Sequence, residues 1–367
     1  MGVLWPLEPA TAAKHRLYKS YFDAWWPILL QPSPQSGRSW SKVTFLDAFA
    51  GPGRYEAGEE GSPVFNLRGL LNHKFVHRMG LSRERVQLIF IEKDRAAYEH
   101  LVKELHENFG PLDQLPVRVE ARRGEAGRDS ERLLTELNAW GQPILGVFDS
   151  WGNVNTPLSV MGRIAANHAS EVIVTFGPNW FSRRKELNED IVDGVFGGRQ
   201  HWTHVAAARD SEEMWRAWLD SYRKALHRVG FDYRLQFEVV PKTGHPLYLV
   251  FGTKHRRGVE VMKDAMWRVD KSDGMRFRDP RVRNAVALGQ VSLFDEGEVT
   301  DPELLALVQQ RLRQGPVSLE QLEQWLLLET SQWRARDAKK ALQALDGDGR
   351  VVMPAGRLTK ASVVSLR

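Results

Sequence analysis

Five short apolar segments run along the first half of the chain, with helix-length intervals between several of them. They are KVTFLDAF (42–49), VQLIFIE (86–92), PVRVEAR (116–122), PILGVFD (143–149) and EVIVTF (171–176). Near-continuous apolar runs of this length suit strands of a parallel sheet that helices cover on both faces. This alternation constrains the fold more than any other feature, because it predicts the α/β class.

The segment after the fifth strand narrows the prediction. An amphipathic helix is expected at 211–230, followed by strands at 233–240 and 245–253 that the short turn PKTG joins. Strands linked by so short a turn containing glycine must be antiparallel. A parallel sheet that ends in an antiparallel hairpin is unlike a plain dinucleotide-binding fold and is typical of S-adenosylmethionine (SAM) methyltransferases. An α/β enzyme of another kind stays open at this point.

A second, smaller unit is predicted at the C-terminus. Residues 271–300 are irregular and polar, which indicates a linker between a domain at 1–270 and a compact unit at 301–367. Helices are expected in that unit at 301–315, 317–329 and 331–349, and a hairpin at 350–366. The predicted fold is therefore a Rossmann-like SAM-methyltransferase sheet followed by a winged-helix domain.

The composition excludes several kinds of chemistry. The 367 residues include no cysteine, which removes disulfides, iron–sulfur clusters and thiol nucleophiles together. The 11 histidines show no two-His metal spacing, so we expect no structural metal. A net charge of +5 is compatible with a nucleic-acid partner. No apolar run approaches about 20 residues and the first residues lack a signal-peptide layout, so we expect no membrane span and a cytoplasmic location.

The first strand ends at Asp47 and leads into a turn rich in glycine. Gly51 and Gly53 can bring the backbone close to a ligand over the carboxyl end of the strand. The next glycine is Gly58, so the dinucleotide spacing G-x-G-x-x-G fails, whereas the looser acid-x-x-x-G-x-G pattern of methyltransferases fits. The acid suits SAM, whose ammonium and sulfonium groups are cationic. The residues predicted to bind SAM here are Asp47, Phe49, Ala50, Gly51 and Gly53. A strand-end turn without a ligand is the alternative.

Two further acids follow the second and third strands. Glu92 ends the second strand, where a carboxylate can accept two hydrogen bonds from ribose hydroxyls. Its distance from Asp47 makes residues 55–85 an insertion. Glu125 follows the third strand and is placed to meet the adenine amine. The alternatives are a solvated helix cap for Glu92 and the start of a helix for Glu125.

The fourth strand ends in FDSWGN, residues 148–153. Methyltransferases that act on nucleobase amines carry an acid or amide, two prolines and an aromatic residue at this place. The acid accepts a hydrogen bond from the target amine, and the aromatic ring stacks on the flipped base. The catalytic residues predicted by this partial match are Asp149, Ser150, Trp151 and Gly152. A strand-end acid that caps the next helix is the alternative.

FLDAFAGPG also resembles the first motif of carbon-5 cytosine methyltransferases. Those enzymes need a cysteine nucleophile, which this chain lacks, so transfer to nitrogen or oxygen is left. Transfer to nitrogen needs little more than alignment and a hydrogen-bond acceptor. A nuclease or kinase is disfavoured, because the sequence shows no acid cluster at two-metal spacing and no G-x-x-x-x-G-K.

Several of these motifs together resemble the three-Cys-motif partner (TcmP) family. The pattern of an aspartate, an AGPGRY loop and a GSP triplet is matched by Asp47, residues 50–55 and residues 61–63. IFIEKD is similar to the family's second strand motif, and YLVFGTKHRRGVEVMKDAMWRVD (248–270) to its segment after the hairpin. The resemblance covers residues 5–270, and the terminal unit resembles a winged helix often appended to it. Where the family shows Asp-Pro-aromatic-Gly, this chain has Ser150 in place of the proline.

The resemblance implies a SAM-methyltransferase-like fold and a partner that bears three cysteines, similar to radical-SAM proteins. Two classes of function therefore stay open. One is a SAM-dependent methyltransferase that acts on a nucleic-acid amine; the other is a SAM-sensing or non-catalytic protein that brings the cysteine-rich partner to nucleic acid. A methyltransferase for protein or a small molecule is a third possibility.

Two features of the C-terminal third suggest partners. In a winged helix the third helix and the wing contact nucleic acid. The residues predicted to do so are Trp333, Arg334, Arg336, Lys339, Lys340, Arg357 and Lys360. A solvated helix face of a protein-binding unit is the alternative. In the linker, Gln290, Leu293 and Phe294 resemble the peptide that docks on the bacterial sliding clamp, and packing of the linker onto the body is the alternative.

Overall fold

An eight-stranded, mostly parallel sheet organises the larger part of the chain. The computed structural model describes residues 2–33, 37–184, 189–207, 211–282, 301–354 and 356–367. The strands are β1 (Val43–Asp47), β2 (Val86–Glu92), β3 (Arg118–Arg123), β4 (Ile144–Phe148), β5 (Glu171–Phe176), β6 (Tyr233–Val240), β7 (Leu247–Thr253) and β8 (Arg276–Arg278). Their order is β3-β2-β1-β4-β5-β7-β6-β8. Strand β7 is antiparallel to both of its neighbours, and β1 to β5 are parallel. The prediction of a parallel sheet with a terminal hairpin is confirmed.

Helices cover both faces of this sheet. They are α1 (Pro9–Leu30), α2 (Ser62–Leu71), α3 (Val76–Met79), α4 (Arg95–Phe109), α5 (Arg128–Glu136), α6 (Leu158–Ala165), α7 (Pro178–Arg184), α8 (Glu189–Phe196), α9 (Ser211–Arg228) and α10 (Arg256–Val269). The core on one face includes side chains of α1, α4 and α10, and the core on the other includes those of α5, α6 and α9. Strands β1, β4 and β5 are buried along their whole length, which explains why they lack polar alternation.

Helix α1 lies across one face of the sheet, with its first turns near the edge where the parallel strands end. Its aromatic residues recur at helical spacing and are buried. The Tyr21 hydroxyl donates to Glu171 Oε2 at 2.5 Å, at the amino end of β5. Lys14, two turns earlier, reaches Asp149 after the carboxyl end of β4. The helix therefore runs opposite to the parallel strands and delivers its N-terminal half to the edge where they end.

The C-terminal unit has its own core. It contains α11 (Pro302–Leu312), β9 (Val317–Ser318), α12 (Leu319–Glu329), α13 (Asp337–Gly347), β10 (Val351–Val352) and β11 (Val363–Leu366). The strands form an antiparallel sheet in the order β10-β11-β9. Ser318 accepts from the Gln321 N–H at the start of α12, as predicted for an N-cap. The helix predicted at 331–349 begins only at Asp337, because Trp333 turns into the core beforehand.

A buried lysine joins the two units. The Lys263 ammonium, on α10, donates to the carbonyl oxygens of Leu326, Leu327, Thr330 and Trp333 at 2.7–3.2 Å. These carbonyls lie at and beyond the C-terminal end of α12, where backbone acceptors have no partner within the helix. The C-terminal unit therefore docks on the larger domain around one buried lysine nitrogen that four backbone oxygens contact.

The predicted linker contains a strand in its first part. Residues 276–278 form β8, which pairs with β6 in parallel, so the larger domain extends past residue 270. The clamp-like peptide with Gln290, Leu293 and Phe294 lies outside the described residues. None of the described helices combines the length and the apolar composition that a membrane span requires.

Candidate functional site

Asp47 lies buried at the carboxyl end of β1. Its Oδ2 accepts from the Ser62 hydroxyl at 2.6 Å, and its Oδ1 from the Phe49 N–H at 3.1 Å. Burial raises the pKa of Asp47 to about 6, in spite of these two hydrogen bonds and with help from the negative charges of Asp149 and Glu92. The carboxylate is therefore held in place at the base of the glycine turn, and its charge changes close to neutral pH.

The two glycines of the turn differ in what they face. Both Gly51 and Gly53 have positive φ, at 65° and 83°, which other residues rarely adopt. A side chain at Gly51 would meet only the Trp5 ring, at 3.9 Å, whereas one at Gly53 would lie 3.1 Å from Leu101. Gly51 thus leaves open space above the turn. Gly53 serves close packing as well, against α4 and the Gly61 backbone.

The acids that follow β2 and β3 occupy different positions. Glu92 Oε2 accepts from the Gly51 N–H at 2.9 Å, and Oε1 from the Asp94 N–H at 2.7 Å, so Glu92 fixes the glycine turn against β2. Glu125 is half-exposed and pairs with Lys93 at 2.5 Å, and this pair lowers the pKa of Glu125. Neither acid lines the cavity described below, whereas Asp47, Phe49, Ala50, Gly51 and Gly53 do.

Asp149 lies beside this turn, after β4, in a dense network of hydrogen bonds. Lys14 Nζ donates to Oδ1 at 2.6 Å and to Oδ2 at 2.7 Å. The Tyr18 hydroxyl donates to Oδ2 at 3.0 Å, and the Thr175 hydroxyl to Oδ1 at 2.6 Å. Burial by itself would raise the pKa of Asp149, but the Lys14 charge and these hydrogen bonds outweigh it and lower the pKa. Asp149 is therefore an ionised carboxylate that already holds an amine.

The next residues form a strained loop. Trp151 has φ of 55°, a conformation that costs about 1–3 kcal/mol outside glycine, and its side chain is 52% exposed. The Lys14 ammonium lies 4.9 Å from the centre of its ring. Gly152 has φ of 86°, and a side chain there would clash with the Gly177 backbone at 2.9 Å. The hydroxyl of Ser150 is buried with no hydrogen-bond partner among the described residues.

A small cavity connects the predicted cofactor and catalytic residues. Its volume is about 60 Å³, and Lys14, Asp47, Gly51, Asp149 and Trp151 are among the residues that line it. Sites for small molecules usually measure roughly 300–1,000 Å³. The N-terminal segment forms one wall of the cavity: Trp5 lies over Gly51, and its carbonyl accepts from the Glu56 N–H at 3.1 Å. A cavity of this size would have to widen to admit a cofactor, and movement of this segment would widen it.

A larger, mainly apolar cleft adjoins the small cavity at Trp151. It measures about 590 Å³ and lies between the loops after β4 and β5 and the turn between β6 and β7. Trp151 and Trp180 contribute aromatic surface, and Asn179 and His245 contribute polar groups. The indole N–H of Trp180 is buried and makes no hydrogen bond within the described part of the chain. The cleft can therefore accept a flat apolar group that carries polar atoms at its edge.

Sequence reasoning missed the residues that α1 contributes. Lys14 and Tyr18 both bond to Asp149, and His15 lies 3.4 Å from the Tyr55 hydroxyl. Burial, together with the nearby Lys14 charge, lowers the pKa of His15 to about 3, so this imidazole is neutral. Lys14 and Tyr18 are four residues apart on the buried face of α1. A lysine on an otherwise apolar helix face was the signal that could have revealed them.

The seven residues predicted to bind nucleic acid divide into two groups. Trp333 is 4% exposed in the core of the C-terminal unit, Arg334 pairs with Asp337 at 2.8 Å, and Arg336 pairs with Asp264 on α10 at 2.8 Å. These three precede α13 and make contacts within the chain. The other four, Lys339, Lys340, Arg357 and Lys360, are exposed.

The described residues contain no group of three or more His, Asp or Glu side chains placed to hold a metal ion. Asp47, Glu92 and Asp149 are instead bonded to backbone N–H groups, hydroxyls and Lys14.

Comparison with known proteins gives matches among solved structures alone. No family model and no curated protein matches the sequence, so the resemblance to the three-Cys-motif partner family stays a prediction. Trm1 from Pyrococcus horikoshii, solved with SAM, is 11% identical, with 97% of this chain and 91% of that chain covered and a TM-score of 0.37. TYW2 from the same organism, solved with MeSAdo, is 13% identical, with 68% and 64% covered and a TM-score of 0.29.

A precorrin-6y C5,15-methyltransferase from Geobacter metallireducens is 10% identical, with 66% of this chain and 87% of that chain covered and a TM-score of 0.28. For several of the matched structures, TYW2 among them, the matched part is less than two thirds of their own length. The fold assignment rests on the strand order, with five parallel strands followed by an inserted antiparallel β7. The chain has a Rossmann-like, methyltransferase-like fold.

Proposed function

We propose that the chain is a SAM-dependent methyltransferase that transfers a methyl group to an amine nitrogen of a nucleic acid. The observation that carries the proposal is the position of the Lys14 ammonium. It lies against both oxygens of Asp149 and over the Trp151 ring, in the cavity that Gly51 and Asp47 also line. The predicted catalytic acid thus already holds a primary amine at the edge of the predicted cofactor site.

The predicted cofactor residues suit SAM in charge and backbone shape. SAM supplies an electrophilic methyl group on a sulfonium centre. Asp47 would lie near its cationic groups, and Phe49, Ala50, Gly51 and Gly53 would form the turn beneath it. Glu92 and Glu125 remain the proposed contacts for ribose and adenine. The Glu92 carboxylate accepts from the Gly51 N–H, so a ribose hydroxyl would donate to a lone pair of Glu92 that this bond leaves unused.

Asp149 would position the acceptor. A target amine must be neutral and must direct its lone pair at the methyl carbon, and a fixed carboxylate can orient it by accepting its N–H. Thr175 and Tyr18 hold the carboxylate in place at 2.6 and 3.0 Å. The target amine would exchange with the Lys14 ammonium when the N-terminal segment shifts.

The adjoining cleft suits an unstacked base. Trp151 and Trp180 offer ring surfaces, and base–aromatic stacking contributes about 1–3 kcal/mol per base. Asn179 and His245 could hydrogen-bond to the polar edge of the base. If the C-terminal unit is a winged helix, Lys339, Lys340, Arg357 and Lys360 would contact the phosphates of the same nucleic acid.

SAM binding should depend on pH through Asp47. The pKa of this carboxyl is about 6, and the ionised form attracts the cationic cofactor. Affinity should therefore be constant well above pH 6 and fall by up to about tenfold per pH unit below it. Calorimetric titration of SAM at pH 5 and pH 8 measures this difference, and Asp47→Asn should bind more weakly and lose the dependence. A wild-type affinity that is flat across this range would remove Asp47 from the cofactor site.

Nucleic-acid binding should depend on salt through the exposed cations of the C-terminal unit. On duplex DNA, log affinity falls as log salt rises. For the triple variant Lys339→Gln, Arg357→Gln and Lys360→Gln this negative slope should be less steep by about 3. Filter binding at several salt concentrations measures the slope. The matched control changes Arg95, Lys103 and Arg216 to glutamine, since these cations lie on other helices in pairs with Glu99, Glu107 and Glu212. Equal slopes for both triple variants would place the nucleic acid elsewhere.

Transfer itself is tested with methyl-labelled SAM and a panel of DNA and RNA acceptors. Label in an amine of one polymer class is the expected result. Saturation of Asp149 by Lys14, Tyr18 and Thr175 favours a second candidate, a SAM-sensing protein that works with a three-cysteine partner. SAM binding without transfer to any polymer, and co-purification of such a partner, would support that candidate over the enzyme.

A further inference from the structure

We propose that Lys14 is itself methylated by the chain that carries it. The inference rests on the proposed function, because it uses the same cofactor and the same acid. Lys14 Nζ lies 2.6 and 2.7 Å from the two oxygens of Asp149, in the place that the proposed function gives to the target amine. Among the residues that line the small cavity, Lys14 is the one lysine.

The surroundings of Lys14 separate it from the other lysines on the chain. Its side chain is 3% exposed, and the groups around its ammonium are Asp149 and the Trp151 ring. So buried a side chain is not accessible to another enzyme on the folded chain, whereas a methyl donor seated over Gly51 would share its cavity. Lys19, five residues further along the same helix, lies instead over the Phe65 ring at 4.9 Å. It provides an internal comparison outside the cavity.

The transfer balances with SAM as the only co-reactant. The Lys14 ammonium first loses a proton to water when the N-terminal segment opens the cavity. Its nitrogen lone pair then forms the new N–C bond as the S–C bond of SAM breaks and leaves a neutral thioether. The positive charge passes from sulfur to the Lys14 nitrogen, so the ion pair with Asp149 is restored.

The geometry favours a single methyl group. Lys14 makes two hydrogen bonds, one to each oxygen of Asp149, and a monomethylated ammonium keeps two N–H donors. The methyl group would take the third position, toward the Trp151 ring, where aromatic faces bind methylated ammonium groups well. A trimethylated lysine would lose both hydrogen bonds and leave Asp149 without them.

The test incubates the full chain with deuterated-methyl SAM and no acceptor, and peptide mapping by mass spectrometry locates the label. We expect one labelled methyl group on Lys14 and none on Lys19. Because the reaction is intramolecular, the labelled fraction at a given time should not change with protein concentration. Lys14→Arg keeps a cation beside Asp149 but should abolish the label at this position.

Parallel reactions with DNA and RNA separate this inference from the proposed function. Label in a polymer with none on Lys14 would overturn self-methylation and leave the proposed function standing. Label on Lys14 with none in any polymer would support self-methylation and count against the nucleic-acid acceptor. Label spread over exposed lysines, or its absence from protein and polymer alike, would overturn the inference.

Discussion

Replacement of Lys263 by methionine should detach the C-terminal unit from the larger domain. Methionine keeps the length of the side chain but removes the donor that four backbone carbonyls share. Since unsatisfied buried acceptors cost about 1–3 kcal/mol each, and some will find water, we expect a loss of about 3 kcal/mol in docking free energy.

The contacts around Lys263 explain why this loss would not stay local. The Trp267 indole N–H donates to the Gln332 carbonyl at 2.8 Å, and the Arg334 guanidinium stacks 4.3 Å from the Trp267 ring centre. Asp264 pairs with Arg336 at 2.8 Å. All of these contacts join α10 to the segment between α12 and α13, so they form and break together with the Lys263 cluster.

The docking should also respond to pH. Burial lowers the pKa of Lys263 to about 7, although the charge of Asp337 opposes the shift. The docked state therefore binds fewer protons than the undocked state between pH 7 and the normal lysine pKa of about 10.4. Docking should strengthen as pH rises through this window and stay constant below pH 7. Lys263→Met should lack this dependence.

Scanning calorimetry at pH 7 and pH 9 measures both effects. Wild type should unfold in a transition in which the two units are coupled, whereas Lys263→Met should show an earlier separate transition for the C-terminal unit. Lys339→Met is the matched control, because Lys339 is exposed on α13 of the same unit. A Lys263→Met profile that coincides with the control would show that the carbonyl cluster contributes nothing to docking.

The sequence predicts the sheet well because the information is local. Buried parallel strands need continuous apolar runs, and the turn PKTG permits just one orientation of the hairpin. Strands β8 and β9 were missed because they are two or three residues long and take their pairing from distant strands, β6 and β11. The start of α13 was predicted too early. Trp333 has the spacing of a residue on the apolar face of α13, but it contributes to the core from the loop before that helix.

The candidate site was predictable where the sheet itself brings residues together. Asp47 and Asp149 follow neighbouring strands, and parallel strands end at one edge. Lys14 and Tyr18 could not be assigned, because the contact with Asp149 joins residues more than 130 positions apart and depends on the direction of α1. Trp333 was predicted to contact nucleic acid, but its ring is buried in the core of the C-terminal unit.

Asp149→Asn should reduce methyl transfer by about 100-fold or more while SAM affinity changes by a few-fold at most. The amide has the size of the carboxylate and can still accept from Thr175 or Tyr18. It lacks the charge that orients an amine, and removal of one such group in a preorganised site costs about 10²–10³ in rate. Steady-state transfer to the accepted polymer and calorimetric SAM titration measure the two effects separately.

The stability of this variant needs its own control, because Lys14 would keep a buried charge without a counter-ion. Such a loss costs about 3–5 kcal/mol. The double variant Lys14→Gln with Asp149→Asn removes both charges and should regain most of that stability without regaining transfer.

Glu171→Gln is the matched acid control. Glu171 is also buried and accepts from two hydroxyls, those of Tyr21 and Thr253, but it lies at the opposite end of the neighbouring strand. Transfer should survive there. If Asp149→Asn retained transfer within a few-fold of wild type, Asp149 would not position the target amine. Its role would then be to hold α1 through Lys14 and Tyr18, and another residue of the cleft would position the amine.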